Sequence, residues 1–202
     1  MNLFSQCHVK KSLLACLLAV CICLAGCAQV PTAAADGASW SDDWITVGGI
    51  IGVDTPAGIE PRENNDALSV QGMYYATWSI GESEPYTNED GDEAQLYDAQ
   101  IYLLLAGYNA SEKAEESAAE WQAMANDRYA VDQTLSTTCN GQDFTVLTCA
   151  FDSETNPYAR GASAFGVYGN YAVSVELSCR EDFTGSPLEI LTDFLEHCHY
   201  ST

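Results

Sequence analysis

Positive charge is scarce in this chain: seven Lys and Arg stand against 29 Asp and Glu in 202 residues, a formal net charge of −22. Such a surface repels phosphate backbones, and no basic patch offsets it, so a nucleic-acid role is excluded. Long hydrophobic runs are missing too. The longest, Leu13–Ala25 (LLACLLAVCICLA), falls short of the roughly 20 residues that cross a bilayer as a helix. No Cys-x-x-Cys occurs among the nine cysteines, so thiol–disulfide exchange has no frame. No glycine loop of the phosphate-cradling kind is present. The nearest approach to a nucleophile elbow, Gly161-Ala162-Ser163-Ala164-Phe165, has Phe165 where the second glycine belongs. Beyond the first segment the only histidines are His197 and His199. They stand two apart at a helix end, near Asp193, and point in different directions, so no metal site is expected. No cofactor is expected either.

What is present begins with targeting. His8, Lys10 and Lys11 precede the apolar run, and no acid occurs before Asp36, which is the layout of a signal segment. The run ends in Leu24-Ala25-Gly26-Cys27. This tetrapeptide resembles the lipobox of bacterial membrane lipoproteins at all four positions. The resemblance implies a diacylglycerol thioether on Cys27 and cleavage between Gly26 and Cys27. Two acyl chains anchor firmly where one is marginal. The expected organisation is therefore a signal peptide over 1–26, a lipidated flexible tether over 27–41, and one extracytoplasmic domain over 42–202. Its place is the outer face of the cell membrane, with lipid on Cys27 as the membrane contact. The acidity serves solubility there.

The domain alternates in pattern. Trp44–Val53 reads as a strand broken by glycines, and Asp54–Gly58 as a turn. Gly58–Ala67 is loop-like. Leu68–Ile80 and Ala94–Gly107 read as a long hairpin around an acidic loop, Gly81–Glu93. That loop approximates a calcium-binding motif, but Tyr86 and Tyr97 fall where its first and last ligands belong, and calcium binding is left open. Ala114, Ala118, Trp121 and Ala125 form one stripe of a helix, capped by Asn109 or Ser111. Asn140-Gly141 and Gly169-Asn170 mark two tight hairpins. Ser186-Pro187-Leu188-Glu189 opens a last helix with stripe Leu188, Leu191, Phe194, Leu195 and Cys198.

This order predicts an α+β two-layer sandwich: a mainly antiparallel sheet with two principal helices on one face. Over about 45–198 it resembles the Mog1/PsbP-like α/β sandwich, through Val53-Asp54-Thr55-Pro56, the hairpin at 70–106, the helix at 112–126, the later strands and the helix at 186–198. That fold hosts unrelated roles and does not by itself set function.

Cys139, Cys149, Cys179 and Cys198 remain after processing, an even number in an oxidising setting. Cys179 and Cys198 lie on the apolar faces of a strand and a helix that pack together, so the expected bridges are Cys179–Cys198 and Cys139–Cys149. The functional expectation is a non-enzymatic interaction or accessory role, with an envelope protein as partner. Two alternatives stand beside it. One is a carboxylate-based envelope glycan hydrolase, which needs two acids about 5–10 Å apart in a cleft. The other is a small solute-binding lipoprotein with a pocket lined by Tyr74, Tyr75, Trp78 or Tyr102.

Overall fold

The computed structural model describes residues 44–62, 72–87, 91–152 and 156–200. The segments expected as signal peptide (1–26) and tether (27–41), with Cys27, lie outside them.

Two sheets and two helices make up the domain. β1 (Trp44–Val47) and β2 (Ile51–Asp54) pair as a hairpin that turns at the glycines expected to interrupt a single strand. β10 (Cys198–Tyr200) joins β2 on its other side. The large sheet has seven strands in the order β3-β4-β5-β9-β8-β7-β6, with every neighbour antiparallel. Its members are β3 (Ile59–Pro61), β4 (Met73–Thr87), β5 (Glu93–Gly107), β6 (Ala130–Cys139), β7 (Gln142–Ala150), β8 (Arg160–Tyr168) and β9 (Tyr171–Cys179). α1 spans Ser111–Arg128 and α2 spans Pro187–Glu196. The α+β class, the mainly antiparallel sheet and the two principal helices packed against it are as the sequence predicts.

Asn140 and Gly141 both take positive φ (47° and 77°), the conformation a two-residue hairpin turn requires. The Gly169-Asn170 turn sets Tyr168, Gly166, Ala164 and Ala162 opposite Tyr171, Val173, Val175 and Leu177, the predicted register. The small Gly166, Ala164 and Ala162 leave room for α2, whose Leu191, Phe194 and Leu195 are fully buried. Phe194 meets Trp78 edge-on at 4.8 Å, and Trp78 Nε1 donates to Thr55 Oγ1 at 3.2 Å. Neighbouring β9 residues point to opposite sides, so the strand serves both helices. Val173, Val175 and Leu177 share a core cluster with α2, while Ala172 packs on Ala114 and Ala118 of α1. Further along α1, Ala125 packs with Leu147 and Phe165.

Four sequence expectations need adjustment. The hairpin β4–β5 runs on to Thr87 and resumes at Glu93, so most of the supposed acidic loop is strand. A register shift between Ile80 and Ser83, with Gly81 at φ 76°, lets the ladder continue past the sheet's apolar part. Asn88–Asp90, the centre of the calcium-like run, lies outside the described residues. The cap of α1 is Ala110, with no side-chain hydrogen bond. Its extended backbone offers its carbonyl to Lys113 N and Ala114 N instead. Finally, β3 and β10 are strands where loop and helix end were expected. Each is short and is held by the edge it joins rather than by its own pattern. No helix among the described residues is long and apolar enough to cross a membrane.

Candidate functional site

The α1 side of the sheet carries the unusual chemistry. Alternation along β9 places Ser174, Glu176 and Ser178 there. The register sets Tyr102 on one flank of Glu176 and Ser163 on the other. A carboxyl group in a central strand is costly unless hydrogen-bonded. Tyr129, just past the end of α1, donates its hydroxyl to Glu176 Oε2 at 3.2 Å, and Ser178 Oγ donates to Oε1 at 3.3 Å. Ser163 is 1% exposed, and its hydroxyl, although beside the carboxyl, finds no well-aligned partner. Burial pushes the Glu176 carboxyl above the ordinary range, and the Tyr129 contact and Arg128 only partly oppose it. The residue is half-buried as a whole, while its carboxyl end is enclosed by protein. Burial also raises Tyr129, reinforced by the charge of Glu176. The Cys149 thiol is pushed up to about 12, first by burial and then by Glu176. It is thus a protonated, inert thiol at neutral pH. The arrangement can hold or release a proton at Glu176. The hydrogen-bond partners shown for its carboxyl are the hydroxyls of Tyr129 and Ser178.

A groove of about 720 Å³ lies toward the other end of α1, between the helix and the β6–β7 hairpin. Glu115 and Gln122 line its helix wall, Ser136 and Thr138 its β6 side, with Asp143 near the turn and Phe165 below. Thr138 Oγ1 donates to Asp143 Oδ1 at 2.6 Å.

The four cysteines are free and buried, which overturns both expected bridges. Cys179 is level with Ala99 and Arg160 at one end of β9. Cys198 belongs to the opposite end: its carbonyl accepts from Asn140 Nδ2 at 2.9 Å, and nearby Tyr200 packs on Tyr168 at 4.8 Å. The length of β9 between those ends is about 26 Å at ~3.3 Å per residue, against the roughly 7 Å that a bridge tolerates between Cα atoms. Cys139 and Cys149 fare no better. One pairs with Gln142 beside the turn, the other with Val131 at the far end of β7.

The remaining sequence candidates are scattered. Trp78 is fully buried in the core, and Tyr75, 5% exposed, packs against Tyr102 at 5.6 Å. Tyr74 is half-buried against the same core. None of these side chains lines the groove beside α1. His197 ends α2, with Nδ1 2.8 Å from Asp193 O, and His199 is exposed on β10. Among the described residues no group of three His, Cys, Asp or Glu is placed to hold a metal. Glu176 itself escaped the sequence reading. Its signal is a lone acid inside the strand YAVSVELSC, on the parity opposite to the aliphatic residues.

No known family profile matches the chain. No curated protein matches it either. Among solved structures, a protein from Bacteroides thetaiotaomicron superposes with a TM-score of 0.39 and 9% identity, over 78% of this chain and 47% of that one. This chain thus spans less than half of that protein's length. The solution structure of CyanoP, the cyanobacterial PsbP of Synechocystis, superposes with a TM-score of 0.45 and 11% identity, over 88% of this chain and 99% of that one. The chain therefore has a distant, partial structural similarity to a PsbP-like α/β sandwich.

Proposed function

We propose that this chain is a lipid-anchored extracytoplasmic protein whose domain works by holding a partner rather than by transforming a substrate. The observation that supports it is Leu24-Ala25-Gly26-Cys27 at the end of the apolar run, with Cys27 17 positions before Trp44, where the first described strand begins. Such a spacing suits an anchor joined to a domain by a short Ala-rich tether. A domain fixed at a membrane face meets its partners at high effective concentration, which favours binding work even at modest intrinsic affinity. The partner class that fits is another protein of the envelope. The strongly acidic surface disfavours anionic lipid and nucleic acid as the second contact.

Fractionation of cells expressing the full chain tests the anchor. The wild-type protein is expected in the membrane fraction, with an N-terminal peptide carrying a diacylglyceryl mass on Cys27. Cys27→Ala is expected to abolish that mass and the cleavage after Gly26. An unmodified Cys27 in the wild type overturns the anchor. A lipidated chain whose purified form turns over an envelope glycan overturns the holding role alone.

A further inference from the structure

The seven-stranded sheet has two edges, and they differ. β3 closes one edge with only three residues and ends in Pro61, which lacks an N–H to offer. β6 closes the other with ten residues, Ala130–Cys139. Among the described residues its ladder partner is β7 alone. From Gln133 to Cys139 (QTLSTTC) it contains no charge, no proline and no glycine. The single irregularity, a register shift between Val131 and Gln133, affects only its beginning. Natural edge strands are ordinarily blunted by charge, proline or brevity. This one is long and regular, with a row of backbone donors and acceptors along its outer side.

The groove runs beside this edge. α1 covers β8 and β9 but leaves the α1 side of β6 and β7 partly open. A strand added to β6 turns every second side chain to that side, the geometry by which extended peptides augment sheets. Those side chains would meet Ser136 and Thr138, then Asp143 and Glu115 across the groove. Two carboxylates and no cation are among the groove's lining residues. The nearby Lys113 is already paired with Glu116 at 2.5 Å.

We propose that β6 is a docking strand for an extended segment of a partner protein with Lys or Arg at alternate positions. The inference rests on the holding role proposed above and gives it a place and a partner chemistry. A second copy of this chain is the poorer occupant. Each copy carries a formal charge of −22, and β6 against β6 would set the same acidic rims face to face.

The test uses the full-length chain in detergent and a fluorescent eight-residue peptide in which lysine alternates with valine or threonine. Saturable binding is expected. N-methylation of alternate backbone nitrogens, on the face that would meet β6, is expected to weaken it about tenfold or more. Glutamate in place of lysine is expected to abolish it. Ser136→Lys, an exposed change that leaves the core untouched, and Glu115→Gln with Asp143→Asn are each expected to weaken binding several-fold. Equal binding of the N-methylated peptide, or of a peptide with its lysines in one block, would show mere charge attraction and overturn the proposal. So would a dimer in light scattering that Ser136→Lys dissolves, because β6 would then be self-paired. A crosslinking arm in the native envelope separates the two readings. Partners captured equally by wild type and Ser136→Lys leave the holding role standing and remove β6. Neither peptide binding nor partner capture removes both.

Discussion

The Tyr129 hydroxyl donates to Glu176 Oε2 across 3.2 Å, joining the residue that ends α1 to the centre of β9. The contact is also where the domain's stability meets pH. Burial raises the folded-state pKa of Glu176 above that of the unfolded chain. Its protonated form is therefore the one the fold favours, and this contribution is complete below the unfolded value of about 4.3. It is lost as pH rises through the folded value. Glu176→Gln keeps the shape and removes the charge. The variant is expected to unfold at higher urea than wild type at pH 8, with the difference shrinking toward pH 4. Urea melts at several pH values check this; identical curves at pH 8 would contradict it.

Tyr129→Phe removes the donor and leaves the carboxyl in place. A loss of about 1–2 kcal/mol is expected at neutral pH, and less where Glu176 is protonated. Coupling is read from the double variant Tyr129→Phe with Glu176→Gln. Additive changes in stability would show that the two side chains do not act together.

Asn140 holds two roles in one residue. Its φ of 47° suits the turn, and its Nδ2 donates to Glu196 O at 2.5 Å and Cys198 O at 2.9 Å. Asn140→Gly keeps the turn and removes those bonds; Asn140→Ala removes both. The expected order of stability is wild type, Gly, Ala, each step about 1 kcal/mol. Amide exchange at Tyr200 should quicken in both variants, since β10 is what the side chain secures.

Gly166 sits where a Cβ would lie 2.7 Å from the Phe144 ring and 2.9 Å from the Asp143 carbonyl. Gly166→Ala is expected to cost about 1–3 kcal/mol through overpacking. Phe194→Ala, opening a void beside Trp78, is expected to cost about 3–5 kcal/mol. Both are measured by denaturant unfolding with unchanged m-value.

The strand pairs and helix stripes were legible because they are local. Tyr171 to Leu177 and their β8 partners follow from one turn and a period of two. The cysteines show where that kind of inference stops. Strand parity turned Cys179, and the helix stripe Cys198, toward one apolar interface; both are in the same buried cluster, although Cys198 stands on β10 beyond the end of α2. It carried no information about height along the sheet, which depends on how α2 crosses and where β10 lands. β10 is three residues long, and its partner β2 is more than 140 positions away, since Cys198 lies opposite Val53. No local pattern announces such a pairing. Glu176 was hidden for a related reason. Its importance comes from Tyr129 and Ser163, brought to it by α1 and β8.

The small sheet also orders events in time. β2 lies between β1 and β10, so one of the earliest described strands has the last as its neighbour. A chain that emerges from its N-terminus forms the β1–β2 hairpin early, yet β2 keeps a bare edge until Cys198–Tyr200 arrive. Closure of the small sheet is thus tied to Cys198–Tyr200, a long-range contact of the kind that slows folding. Until then that edge is available to any chaperone that recognises an unpaired strand, and a chain cut short before Cys198 would retain the exposed edge.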